Sequence, residues 1–345
     1  MSPMILSILM MSLATGTIIT MTSYHWLLAW VGLEINTLSI LPIISTSHTP
    51  WSTEAATKYF LVQAAASAMI LFSSTANAWQ TGSWDITNLT TTPSCTTLTF
   101  ALAMKLGLAP VHFWLPEVLQ GTTLASALII TTWQKLAPMA LIFLTINNLS
   151  TTILITLGMT SAIAGGWGGL NQTQTRKVMA FSSIAHLGWM TAISPIMMNI
   201  MIFNLMVYLM MTTALFYTLI LSNTKTLQDT TMTWTVSPMM TTMMMILILS
   251  LGGLPPLTGF TPKWLILEGL ITQNLIFPAT ILVVASLLSL FFYLRLAYTT
   301  ALTLSPNTLQ TKLKWRFKPT LPSSPLATLF TLSAFLLPMT PIALL

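Results

Sequence analysis

Charge is what this chain has least of. Only 5% of its 345 residues are Asp, Glu, Lys or Arg, whereas 54% are hydrophobic. An ordinary soluble domain is about 25% charged. So few charges cannot cover the surface of a soluble fold, which makes this an integral membrane protein. Cysteine is nearly absent too. Cys95 alone cannot form a disulfide, an iron–sulfur cluster or a thiolate zinc site within the chain. The four histidines, His25, His48, His112 and His186, show no facing pair at haem-ligating spacing. No G-x-G-x-x-G or P-loop occurs, and "GGWGGLNQ" at 165–172 lacks the phosphate-loop Lys-Ser/Thr, so it reads as a packing and turn segment. The leading "MSPMILSILMMSLATGTIIT" lacks a basic start and an A-x-A-like cleavage site, and reads as a first membrane helix. Alternating polar and apolar runs of the β-barrel kind are missing.

What is present is a series of apolar segments about 20 residues long, the length a helix needs to cross hydrocarbon. The fold class is therefore all-α, a polytopic membrane protein. Eleven spans are expected, near 3–22, 25–45, 58–78, 96–116, 122–144, 149–170, 176–195, 199–221, 237–271, 275–298 and 325–344. With the N-terminus inside, the inner loops and helix ends hold Lys58, Arg176, Lys177, Lys225, Arg295, Lys312, Lys314, Arg316 and Lys318, and the outer loops hold no Lys or Arg. This separation favours an N-in, C-out orientation by the positive-inside rule. The net charge of +6 is thus a topology signal. The segment "KLKWRFKP" at 312–319 reads as lying at the inner headgroup surface, not as a nucleic-acid arm. The 24 methionines, many threonines and sparse charge fit a mitochondrially encoded product.

Four charges stay inside apolar spans: Glu34, Lys105, Lys135 and Lys263. Each costs about 3 kcal/mol at the bilayer centre even on the lenient insertion scale, and such residues mark ion and proton pathways. Snorkelling suits charges near helix ends, and these lie several turns in. One structural ion pair accounts for Glu34 and a single lysine, and leaves two lysines over. Burial makes a lysine easier to deprotonate and a carboxylate nearby opposes this, so a lysine with a movable carboxylate partner is a switchable proton site. Two of the lysines also adjoin helix breakers. "LGLAP" at 106–110 follows Lys105, and "GGLPPLTGFTPK" at 252–263 leads to Lys263. Proline removes a backbone donor, and broken helices in two halves of a membrane chain point to a transport site. These are the fourth and ninth spans. An offset of five, an odd number, predicts two inverted five-helix repeats over 1–145 and 146–300, with 301–345 supplying a basic loop and a last helix.

In their order and spacing, "LAWVGLEINTLSILPI", "KLGLAPVHFWLPEVLQG", "WQKLAP", "QTQTRKVMAFSSIAHLGW" and "LGGLPPLTGFTPKW" resemble the chain 2 family of mitochondrial NADH:ubiquinone oxidoreductase, respiratory complex I. The resemblance covers essentially the whole chain and implies an antiporter-like subunit of the membrane arm, related to cation/proton antiporters. Longer relatives carry three further N-terminal helices, for which no matching segments are found here. Residue by residue, it implies that Glu34 gates Lys105, that Lys135 is the central lysine, and that Lys263 is the second-half lysine near the exit. His186 becomes a relay candidate on the seventh span, and His112 a candidate one turn past the first break. Glu268 is expected to pair with Lys263, and Glu117 to be solvated. The resemblance also implies no cofactor in this chain: FMN, iron–sulfur clusters and ubiquinone are bound by other subunits. Implied partners are other membrane-arm subunits, including antiporter-like neighbours, and lipids such as cardiolipin, with no nucleic acid. The implied place is the inner mitochondrial membrane, N-terminus on the matrix side and C-terminus on the intermembrane-space side. A stand-alone or multi-subunit cation/proton antiporter remains the alternative, followed by a membrane-arm spacer with vestigial lysines.

Overall fold

The computed structural model describes residues 2–302, 324–335 and 340. The described residues are helical with no strands, apart from two isolated bridges. Six helices among them are long and apolar enough to cross a membrane: Pro3–Thr22, Trp26–Ser47, Pro50–Thr81, Leu124–Thr145, Met198–Ser222 and Ile276–Ala301. Shorter apolar helices add to these. The chain forms two compact units. One comprises Met1–Ser161 and Met190–Met198, the other Ala162–Trp189 and Asn199–Leu345.

In the first unit, α1 (Pro3–Thr22) and α2 (Trp26–Ile44) lie backbone to backbone. A Cβ at Gly16 would fall 2.9 Å from the Gly32 carbonyl, and one at Gly32 as close to the Gly16 carbonyl. Without a hydrophobic drive between helices in lipid, such close small-residue contacts carry the association. α3 (Pro50–Thr81) starts on a capping box between Thr49 and Ser52, with proline in its first turn. It begins eight residues before the expected 58–78 span. Hydropathy does not mark its polar first turns, whereas the Thr-Pro start signal does. α3 buries a stripe at helical spacing that includes Ala55, Tyr59, Gln63, Ala66 and Ile70.

α4 (Thr92–Leu106) stops at Gly107, and α5 (Trp114–Gly121) resumes after the break. The expected 122–144 span is also interrupted. α6 (Leu124–Thr131) ends in a 3-10 turn over Trp133–Lys135, and α7 (Leu136–Thr145) follows. The segment linking α3 and α4 is pinned to the start of α2. Trp26 N–H donates to the Trp84 carbonyl at 3.1 Å, and the His25 ring stacks on Trp84.

α8 (Thr151–Gly169) and α9 (Thr175–Ile193) each contribute residues to both units. The second unit continues with α10 (Met198–Ser222), the short α11 (Leu227–Thr231) and α12 (Thr233–Val236), and α13 (Pro238–Gly252). α14 (Phe260–Thr272), α15 (Ile276–Leu302) and α16 (Ser324–Phe335) complete it. The long ninth segment is thus a broken helix, α13 plus α14, as its Gly-Gly-Leu-Pro-Pro run implies. Gly165, Gly168 and Gly169 press against Ala185, Phe181 and Phe292, which agrees with a packing role for the glycine run. The basic stretch 312–319 and, of the 325–344 span, residues 336–339 and 341–344 lie outside the described residues.

Candidate proton-transfer site

Each break ends its helix in the same way. Gly107 adopts φ 78° and donates to the Ala103 and Met104 carbonyls, and Leu108 N–H reaches back to Ala103. Gly253 adopts φ 80° and donates to the Leu249 and Ser250 carbonyls, and Leu254 N–H reaches back to Leu249. Both are Schellman ends with glycine in the left-handed conformation. A helix end at membrane depth has no water to satisfy its last carbonyls, so side chains do it. In the first unit the Trp114 indole N–H donates to the Met104 carbonyl at 3.2 Å, and the Gln63 amide donates to the Lys105 carbonyl at 3.3 Å. In the second unit the Lys263 ammonium donates to the Gly252 carbonyl at 2.9 Å.

The first unit brings Lys105 and Lys135 to one small cavity of about 20 Å³. Lys105 is 6% exposed and Lys135 3%. The wall also includes Asn36 and Thr37 of α2, Tyr59 and Gln63 of α3, Trp114 of α5 and Gln134 of the 3-10 turn. Lys105 owes its place to the last turn of α4, just before the break, and Lys135 to the turn that interrupts α6 and α7. Both lysines therefore sit where the backbone leaves helical geometry. The Lys105 Nζ is buried with no hydrogen-bond partner among the described residues.

Glu34, half-buried on α2, accepts a hydrogen bond from the Thr37 hydroxyl at 3.0 Å. It makes no direct ion pair with either lysine among the described residues. A structural ion pair therefore does not account for Glu34. A chain of bonds crosses the wall: Tyr59 Oη donates to Gln134 Oε1 at 3.4 Å, and Gln134 Nε2 donates to the Asn36 carbonyl at 3.4 Å. His112 is buried in the break, its ring 4.3 Å from that of Phe113, and is not part of the cavity wall.

In the second unit, Lys263 is half-buried and stands on the wall of an apolar cavity of about 330 Å³ with Trp189, Phe260, Trp264 and Leu287. Glu268 is exposed and does not pair with it; Lys263 is turned toward the end of α13. His186 of α9 is 7% exposed, its Nε2 is 3.5 Å from the Tyr293 hydroxyl, and its ring is 5.5 Å from Tyr208. Glu117, half exposed, is ion-paired to Lys58 at 2.6 Å, and Lys58 holds Glu54 at the same distance.

Reading the sequence for charge alone missed the polar uncharged wall of Asn36, Tyr59, Gln63 and Gln134. A signal was available: Tyr59 and Gln63 are four apart in an apolar span, and Asn36 is two residues from Glu34. Polar groups in such spans face the bundle interior.

Residues 23–289 match the family described as NADH:quinone oxidoreductase/Mrp antiporter, transmembrane region, and residues 290–344 match NADH dehydrogenase subunit 2 C-terminus. The chain is 52% identical over 344 residues to NADH-ubiquinone oxidoreductase chain 2 of Xenopus laevis, with 100% of each covered. It is 54% identical over 342 residues to the chain of that name from Carassius auratus, covering 99% of this chain and 98% of that one. Among solved structures, it resembles a chain of respiratory complex I from Thermus thermophilus (TM-score 0.81, 26% identity, 96% of this chain and 78% of that one). It shares its fold with a chain of the Mrp complex from Dietzia (TM-score 0.84, 16% identity, 97% and 75% covered). Matched end to end at more than half identity, the chain belongs to the NADH-ubiquinone oxidoreductase chain 2 family, within the NADH:quinone oxidoreductase/Mrp antiporter group.

Proposed function

We propose that this chain moves protons as a membrane-arm subunit of an NADH:ubiquinone oxidoreductase, while other subunits carry FMN, iron–sulfur clusters and ubiquinone. The observation that carries this reading is the pair of buried lysines on one small cavity, with Glu34 hydrogen-bonded to Thr37 of the same wall. A charge that is near but not bonded suits a gate, because a small movement changes the proton affinity of the lysine without breaking a direct contact. With Glu34 close, Lys105 holds its proton. With Glu34 withdrawn or neutralised, the proton passes to Lys135, and onward by His186 toward Lys263. His112, buried in the break beside Phe113, is a further relay candidate for the same path.

The same reading includes eleven spans, two inverted repeats over 1–145 and 146–300, and the N-in, C-out orientation in the inner mitochondrial membrane. The repeats are supported by a register within the chain. Gly107-Leu108-x-Pro110, five residues, Pro116-Glu117 has its counterpart in Gly253-Leu254-x-Pro256, five residues, Pro262-Lys263. Antiporter-like neighbours in the membrane arm and lipids such as cardiolipin are the proposed partners. The stand-alone antiporter is disfavoured, since the full-length relatives at over half identity are oxidoreductase chains.

The test is Lys105→Met in the assembled enzyme, reconstituted into vesicles. Protons moved per NADH oxidised should fall with the complex still assembled. Unchanged stoichiometry rejects the role.

A further inference from the structure

Proton transfer does not explain the cavity beside Lys263 in the second unit. At about 330 Å³ it falls in the size range of small-molecule sites, whereas one water needs only roughly 10–15 Å³ and two to four polar partners. Its wall is mostly apolar, with Trp189, Phe260, Trp264, Val283 and Leu287. Three of these, Trp264, Val283 and Leu287, are exposed, so the cavity opens on the outer face of α14 and α15. Val284 and Phe291 continue that apolar face, and residues 276–294 carry no charge. A ligand therefore reaches this cavity from the hydrocarbon and not from water.

Lys263 is the one charged residue among the described residues of that wall. Its ammonium has three donors. One goes to the Gly252 carbonyl at 2.9 Å, and no carboxylate pairs with it among the described residues. Ser286, also on the wall, spends its hydroxyl on the Val283 carbonyl. A cation with spare donors beside an apolar space is costly, and an anion there offsets the cost. We propose that the cavity binds a long-chain fatty acid, its carboxylate accepting from Lys263 Nζ and its alkyl chain lying against Trp189, Phe260, Trp264 and Leu287. Lipid tails are as apolar as this wall, so burying the chain gives little selectivity and the ammonium supplies it. A phospholipid keeps its phosphate at the headgroup surface, whereas a single-chain acid can bring its carboxyl to a lysine beside a helix break. A bound carboxylate holds the proton on Lys263, so occupation should slow turnover. That consequence rests on Lys263 as a proton carrier; the existence of the site does not.

The experiment is photolabelling of the assembled complex with a long-chain fatty acid carrying a diazirine near its tail, read by peptide mass spectrometry. We expect label on 260–267 and 283–290 several-fold above other apolar helix faces. Excess unlabelled acid should remove it, and the fatty alcohol of equal length should not. Label spread evenly over the apolar faces overturns the site. So does an alcohol that competes as well as the acid, or a phospholipid with the same diazirine tail that labels as strongly. These results decide the matter even if a variant fails to assemble. The effect on turnover is read in sealed vesicles, each enzyme compared with itself without the acid. A proton leak caused by the acid would raise NADH oxidation, whereas occupation of the site should lower it, and less so in Leu287→Trp, which fills the cavity. Equal drops in both overturn the link between site and turnover. A labelled site with NADH oxidation unchanged rejects Lys263 as a proton carrier and leaves the fatty-acid site standing.

Discussion

The Gln63 amide nitrogen on α3 lies 3.3 Å from the backbone carbonyl of Lys105, at the broken end of α4. One side chain thus does for this helix end what the next helical turn would have done. It ties the position of Lys105 to α3, which also carries Tyr59 onto the same cavity wall.

Replacing Gln63 by leucine removes that donor and leaves the carbonyl buried and unpaired. Such a loss costs about 1–3 kcal/mol. The complex should show earlier thermal loss of activity and lower coupled turnover. Equal thermal profiles would mean that the carbonyl has another partner.

Two glycines separate backbone strain from site chemistry. Gly82 has φ 72°, and a Cβ there would meet nothing within 4 Å, whereas at Gly253, φ 80°, a Cβ would lie 2.8 Å from the Lys263 Nζ. Alanine at either position meets the left-handed penalty of about 1–2 kcal/mol. Gly253→Ala should in addition displace Lys263 and reduce proton movement per electron. Gly82→Ala should leave that ratio alone, and a ratio lowered equally in both variants would refute the distinction.

Thr37 holds Glu34 through its hydroxyl at 3.0 Å. Thr37→Val keeps the shape and removes the donor, so the carboxylate loses its anchor. Coupled NADH:ubiquinone turnover should drop, with Thr37→Ser close to the unaltered enzyme. The comparison of the two variants in membrane vesicles checks this, and equal turnover in both would remove Thr37 from the gate.

The Lys58–Glu117 pair makes the opposite forecast. Both partners are roughly half exposed, and pairs in such a setting contribute little. Glu117→Gln should barely change thermal stability of the complex, at low or high salt. A marked loss would show that the pair is shielded in the assembly.

Much of this protein is legible from residue types and their order. Sparse charge dictates a membrane solvent, and bilayer thickness dictates helix length, so the all-helical class follows from composition. The breaks at Gly107 and Gly253 are legible because only glycine adopts the left-handed turn cheaply and proline withholds a donor. The lysines announce themselves because a charge in hydrocarbon is too costly to be incidental. The interruption before Lys135 is less legible, since "TTWQKLAP" carries no glycine and only Pro138, in the first turn of α7, marks it within apolar flanks that read as one continuous span.

The tertiary structure decided who meets whom. Lys105 and Lys135 are thirty residues apart in sequence and share one cavity. Lys263 turned from its sequence neighbour Glu268 to a helix-end carbonyl, because that carbonyl lacks an intrahelical partner and the ammonium can supply one. Glu34 proved to be hydrogen-bonded to Thr37, with no direct ion pair to Lys105 among the described residues. Hydropathy and residue type determine which groups are buried. The packing of α2, α3 and the broken ends of α4 and α7 determines which buried groups share one cavity, because that depends on side chains from four separate segments meeting in space.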